Sequence, residues 1–317
     1  MSVAQPQPAA SASMGSCADT VGSSTAGLSA AQAPRFILTI ACPGTTGIVA
    51  EAVGFLARHR GLIVEAQHFN DAETGTSFMR IVFRDDGRGL QSLTELRYAF
   101  ARDVAQRVGV EYRMREGLRK CRIVLAVSQH GHYLSNLLHR WSAGTLPVDV
   151  AAVVSNHEAA RGLADAHRIP FHHYPLVGGC KEEQEGRIIS LFEDLDAELL
   201  VLARYTQILT EHACGYFEGR AIGVHQSFLT GFKGAKACHP AHPRGIKLIG
   251  ATAHYVTREL HEGPIIEQAV HQVDHAVTPE DLLDIGSDLE SLVLTRSVGW
   301  HAEQRVFRNG HLTVVLK

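Results

Sequence analysis

The chain has 317 residues, 45% of them hydrophobic and 20% charged, with a formal net charge of −3. That balance is ordinary for a globular protein and offers no basic field for nucleic acid or an anionic membrane surface. No apolar run approaches the roughly 20 residues needed to cross a bilayer, while the length allows two domains, each with its own core.

Residues 1–33 are rich in Ala, Ser, Gln and Gly, with Asp19 as the only charged side chain. They lack the basic start and apolar stretch of a secretory signal, and the Arg or Lys of a mitochondrial presequence. With little apolar surface to offset the entropy of ordering, the segment reads as a disordered tail. The six cysteines (Cys17, Cys42, Cys121, Cys180, Cys214, Cys238) are scattered without a CxxC pair. Reduced thiols and a cytoplasmic location are the expectation.

The pattern changes at Arg35. A β-rich run over Arg35–Ala41 leads to the turn Cys42–Gly47, and Ile48–Arg60 then places Ile48, Ala52, Phe55 and Leu56 on one helical face. Gly61 fits the end of that helix. Ile63–Phe69 and Ser77–Phe83 read as strands about a turn at 70–75, followed by a helix near Gly89–Val108 and a strand near Glu111–Arg115. The order βαββαβ predicts a ferredoxin-like antiparallel sheet covered by helices on one face. Residues 34–115 thereby resemble an ACT domain, a regulatory and dimerisation module. In ACT domains the loop after the first strand reads Asp-Arg-Pro-Gly and helps to bind an amino-acid effector between subunits. Here it is Gly44-Thr45-Thr46-Gly47. Two roles stay open for the module: an amino-acid sensor, or a domain kept for contacts in a homo-oligomer.

Gly117–Lys120 reads as a linker to a second domain at 119–317. Cys121–Ser128 is a continuous apolar run of the kind found in a strand buried on both faces, Val148–Ser155 is the next apolar strand, and Phe171–Leu176 and Leu199–Ala203 continue the series. Between them, His132–Trp141, Glu158–His167 (with Asn156 as N-cap) and Glu182–Leu195 carry helical patterns. Strands alternating with helices predict a doubly wound, mostly parallel sheet, with its site at the carboxyl ends of the strands. His225 follows the predicted strand Ala221–Val224 at such an end. Thr278 and Pro279 open the last long helix as N-cap and first residue.

Several long segments of this second half resemble the formyltetrahydrofolate deformylase family, whose catalytic domain has the formyltransferase fold. They are Ser155–Glu158, Ile169–His173, Leu202–Leu209, Ser227–Leu229, Phe232–Ala235, Gly250–Tyr255 and Glu262–Ile266. The resemblance implies an α/β protein with an ACT domain followed by a formyltransferase-type domain. It implies a hydrolase of one-carbon and purine metabolism that converts 10-formyltetrahydrofolate to formate and tetrahydrofolate without a cofactor. It also assigns the folate pocket to Thr206, Gln207, Ile208, Leu209, His254 and Thr257. In the family a strand end carries Asn-x-His, and a later loop carries Asp two residues before Gly-Pro-Ile-Ile. Here the Asn position is Gly223, the His is His225 and the Asp position is His261. The implied catalytic residues are therefore His225 and His261.

Hydrolysis of a formyl amide needs an activated water, a stabilised formyl oxygen and a protonated leaving nitrogen. Gly223 offers no side-chain donor, and His261 cannot supply the fixed negative charge of Asp. Gln226, Thr230, Ala237, Cys238 and Pro240 are further departures, set between stems that match. Three readings stay open on these residues: the deformylase itself, a repurposed enzyme of the same fold acting on another formyl or amide-like substrate, or a non-catalytic folate or amino-acid binder. The second allows a divalent metal, since His225, His254 and His261 with Cys238, His239 or His242 supply zinc- or iron-type ligands, though in no established spacing.

Overall fold

The computed structural model describes residues 34–44, 46–129, 131–176, 180–227, 245–259 and 262–317. Residues Pro34–Lys317 form one compact unit with two large sheets. The first is built from β1 (Arg35–Pro43), β2 (Gly61–Asp71), β3 (Thr76–Asp85) and β4 (Glu111–Glu116), in the order β2-β3-β1-β4 with every pair antiparallel. Helices α1 (Ile48–Arg58) and α2 (Leu93–Phe100) cover it, completing the predicted βαββαβ arrangement. Helix α1 buries the four residues its sequence period selects, Ile48, Ala52, Phe55 and Leu56, against Leu38, Ile40, Ile81 and Phe83.

Two local expectations need correction. Helix α1 ends before Gly61, and Arg60 rather than Gly61 takes the left-handed backbone, with φ 64°. Gly61 instead opens β2 where space is short: a Cβ there would lie 3.2 Å from both the Leu56 carbonyl oxygen and the Phe83 ring. The second helix begins at Leu93, not near Gly89, because Ser92 and Glu95 close a capping box. It runs on through a π-helical turn at Ala101–Ala105 that no sequence period announced.

The second sheet has the order β11-β10-β9-β8-β5-β6-β7. Its parallel part comprises β5 (Cys121–Val127), β6 (Val148–Ser155), β7 (Phe171–His173), β8 (Leu199–Ala203) and β9 (Ala221–Ser227). Strands β10 (Leu248–Tyr255) and β11 (Ile265–Gln272) extend it antiparallel, an edge absent from the sequence reading. Helices α3 (His132–Ser142) and α7 (Pro279–Ala302) bury Leu134, Leu137, Leu138, Leu294 and Val298 on one face. On the other face α5 (Lys181–Asp194) and α6 (Glu211–Tyr216) bury Ile188, Leu191, Phe192 and Ala213. Thr278 caps α7 as expected, in a capping box with Asp281. Asn156 does not cap the helix after β6. Its side chain accepts a hydrogen bond from Ser128 at 2.9 Å, and a short 3-10 turn, Glu158–Ala160, precedes α4 (Arg161–Ala166).

A C-terminal hairpin, β12 (Val306–Asn309) and β13 (Leu312–Val315), follows α7. The first sheet meets this end of the chain through buried Arg80, which donates to the Glu303 carbonyl at 3.0 Å and to Glu65 at 2.9 Å. Arg305 donates to the same Glu65 oxygen at 3.0 Å. Burial works to raise the Glu65 carboxyl, but Arg80 and Arg305 overcome it and hold the group below its ordinary range. Among the described residues no helix is long and apolar enough to cross a membrane.

Candidate active site

His225 lies inside β9 rather than beyond its end. The parallel ladder from β8 stops at Gly223, but antiparallel pairing to β10 carries the strand on to Ser227, with His225 opposite Thr252 and Gly223 opposite His254. Residues two apart on a strand share a face, so Gly223 and His225 stand on one side of the sheet with Thr252 and His254. The rings of His225 and His254 meet edge to face, 5.0 Å between centroids at 66°. His254 is buried, with Nδ1 2.9 Å from the Tyr255 carbonyl oxygen. A carbonyl only accepts, so Nδ1 holds a proton, and Nε2 is the acceptor of the neutral ring. Thr252 accepts from Gln268 of β11 at 3.0 Å.

Gly223 lacks an amide, yet the fold does not demand a glycine there. A Cβ would meet only Val256 at 3.5 Å and Leu202 at 3.9 Å, both ordinary contacts. Gly263 is the opposite case. A Cβ on it would fall 1.7 Å from the Tyr255 carbonyl oxygen and 3.1 Å from His254 Nδ1. Tyr255 in turn donates its N–H to the Pro264 carbonyl at 3.0 Å. The Glu-Gly-Pro-Ile-Ile segment is thereby pressed onto the end of β10 beside His254. Gly263→Ala is expected to destabilise the protein by about 1–3 kcal/mol, because the obstacle is backbone that no rotamer change relieves. Urea unfolding monitored by circular dichroism measures that shift, and an unchanged midpoint would refute the packing described. His261, Cys238, His239 and His242 lie outside the described residues, so of the metal-type ligands named above the structure brings together His225 and His254.

Strand β8 ends at Ala203, and Arg204 turns the chain with a left-handed backbone, φ 60°. The segment that follows is pinned from several sides. The Tyr205 hydroxyl donates to Gln184 at 3.0 Å, and the Thr210 N–H donates to Glu185 at 2.9 Å, both acceptors being on α5. Burial, with the charge of Glu185 added, lifts the Tyr205 phenol well above its ordinary value. The Thr206 N–H donates to Ser128 Oγ at 3.1 Å, and the two hydroxyls lie 3.1 Å apart. With its bond to Asn156, the buried Ser128 joins the carboxyl ends of β5, β6 and β8. Chain order in the sheet reverses between β5 and β8, the position where open α/β sheets bind ligands. Thr206, in the usual Met position, thus has its hydroxyl engaged with Ser128. Gln207 is half-buried, Ile208 is 57% exposed and Leu209 is buried against the α5 side of the sheet. Thr257 follows β10 and donates to the Glu259 carbonyl at 3.1 Å.

Four polar residues beneath this segment, Tyr133, Arg204, Ser287 and Glu290, were not read from the sequence as site residues. Arg204 Nη1 donates to the Tyr133 hydroxyl at 2.9 Å and to Glu290 Oε2 at 3.0 Å, and the Tyr133 and Ser287 hydroxyls lie 3.2 Å apart. The only local signal was a charged residue, Arg204, directly after a buried strand. The described residues thus set two imidazoles on the β9–β10 face and a hydrogen-bonded segment at the switch point of the sheet.

The formyl transferase family profile matches residues 121–298. The formyltetrahydrofolate deformylase of Corynebacterium sp. (strain P-1) is 43% identical over 89% of this chain and 98% of its own length. That of Bacillus subtilis (strain 168) is 40% identical over 88% and 92%. The crystal structure of formyltetrahydrofolate deformylase from Burkholderia mallei superposes with a TM-score of 0.86 at 43% identity, covering 90% of this chain and all of that one. Glycinamide ribonucleotide transformylase 1 from Symbiobacterium toebii superposes with a TM-score of 0.58 at 26% identity, over 62% of this chain and 95% of that one.

Proposed function

Because the chain belongs to the formyltetrahydrofolate deformylase family, we propose that it hydrolyses 10-formyltetrahydrofolate to formate and tetrahydrofolate at the β9–β10 face. Water adds to the formyl carbon, the C–N bond breaks, and a proton reaches the leaving nitrogen. His225 is the group assigned to the formyl oxygen and to that proton, since Gly223 brings no amide. His261 takes the family's Asp position and, when neutral, accepts the proton of the attacking water. Thr206, Gln207, Ile208 and Leu209 hold the pterin partly through backbone groups, with His254 and Thr257 at the edge of the pocket. The observation that carries the reading is His225 set against His254 on the same sheet face, beside an anchored Gly-Pro-Ile-Ile segment.

Formate release from 10-formyltetrahydrofolate, by metal-free and metal-loaded protein, is the deciding measurement. Turnover without metal supports the proposal. Turnover only with metal favours the repurposed enzyme, a reading motivated by the altered pair Gly223 and His261. Tetrahydrofolate binding without turnover favours the non-catalytic homologue.

The same proposal covers organisation. Residues 34–115 act as an ACT-type domain kept mainly for dimer contacts, an amino-acid effector being the alternative role, 119–317 act as the catalytic domain, and the protein works in the cytoplasm. Among the described residues the outer edges of β2 and β4 pair with no other strand, and Leu62, Val64 and Phe69 of β2 are exposed. Open edges of this kind are commonly closed by a second copy. Light scattering of the full chain should report a dimer or larger assembly, and a monomer at tens of micromolar would end this part of the proposal.

A further inference from the structure

We infer that Glu290 is a positioning residue for the reaction, a buried carboxylate that fixes His225 relative to the ligand-facing segment 205–209. The inference rests on the hydrolase reading above. Glu290 lies in the middle of α7 and is 2% exposed. Its Oε2 accepts from Arg204 Nη1 at 3.0 Å, and its carboxylate also accepts from the backbone N–H of Gln226. Arg204 is the left-handed residue from which segment 205–209 departs, and Gln226 directly follows His225. One side chain therefore joins the two parts of the site that must hold opposite ends of a substrate.

Helix α7 is fitted to this task. Gly286, one turn before Glu290, has no side chain where Gln226 lies: a Cβ would come within 2.3 Å of Gln226 Nε2. The Tyr133 hydroxyl lies beside the same carboxylate and receives the other hydrogen bond of Arg204 Nη1. Burial lifts the Glu290 carboxyl above its ordinary value, against the opposing pull of Arg204, Tyr133 and the Gln226 N–H. Such a pair is costly to desolvate, and apolar residues of similar volume would serve stability as well or better. What they would not supply is a directional link between two strand ends.

That contrast defines the test. In the full chain, the double variant Arg204→Met/Glu290→Met removes both charges together and takes an acceptor from the Gln226 N–H, so its urea midpoint is expected to stay close to wild type rather than collapse. Its kcat/KM for 10-formyltetrahydrofolate should nevertheless fall about a hundredfold, the scale of a small misplacement of reacting groups. Its affinity for tetrahydrofolate should fall about tenfold, because the same link holds segment 205–209. A folded double variant with wild-type kcat/KM and wild-type affinity overturns the inference. Should the wild type bind tetrahydrofolate but release no formate, the hydrolase reading fails separately, and equal affinity in the two proteins still overturns positioning. A wild type that neither binds nor turns over overturns both. If the double variant does not fold, Glu290→Gln keeps the volume and an acceptor for Gln226, and unaltered kinetics and affinity in that variant refute the proposal.

Discussion

His225→Gln is expected to lower the kcat for formate release about a thousandfold while leaving tetrahydrofolate binding within a few-fold of wild type. Glutamine keeps a hydrogen-bonding side chain of similar reach but cannot take up or deliver a proton in the working pH range. On the proposed assignment, with Gly223 in the Asn position, His225 would carry both the charge on the formyl oxygen and the proton for the leaving nitrogen, so the loss should appear in kcat rather than KM. On both sides of residue 225 strand β9 stays ladder-paired to β10, Gln226 with Ala251 and Val224 with Ala253, so the exchange should not unfold it. Single-turnover kinetics with 10-formyltetrahydrofolate measure the effect. Activity within threefold of wild type would remove His225 from the chemistry.

The second large effect runs the other way. Gly223→Asn with His261→Asp is expected to raise formate release at least about tenfold, since one oxyanion donor alone is worth ~10²–10³ in rate. The structure makes the first exchange practicable, because a Cβ on Gly223 meets only Val256 and Leu202 at ordinary distance. The two changes should be worth more together than their separate effects suggest, as groups acting in one step are non-additive. Each single variant and the double variant, assayed side by side, give the coupling directly. A folded double variant with no gain would mean that the altered pair belongs to a different chemistry.

Strands β6 and β8 were legible to the residue, at Val148–Ser155 and Leu199–Ala203, because a mainly apolar run, interrupted in β6 only by Asp149, leaves few other placements. Strand β11 was not, since its exposed residues dilute the apolar signal, and it depends on pairing with β10. The same long-range pairing explains His225: a local reading ends its strand at Val224, and only the ladder to β10 prolongs it. Family motifs pointed to Gly223, His225 and His254, which the structure sets on one face of the sheet. Ser128, Arg204 and Glu290 were beyond reach as site residues for another reason. The Ser128–Thr206 and Arg204–Glu290 contacts span 78 and 86 positions of sequence, and a lone polar residue has no period to betray it. Asn156 shows the converse error, a good capping residue drawn away by a partner 28 positions earlier.

Gly263 sets shape by omission. A side chain there would collide with the Tyr255 carbonyl, which works as a keyway for the end of the strand. In a library that randomises positions 223 and 263 together, folded survivors should therefore keep glycine at 263 while accepting many residues at 223.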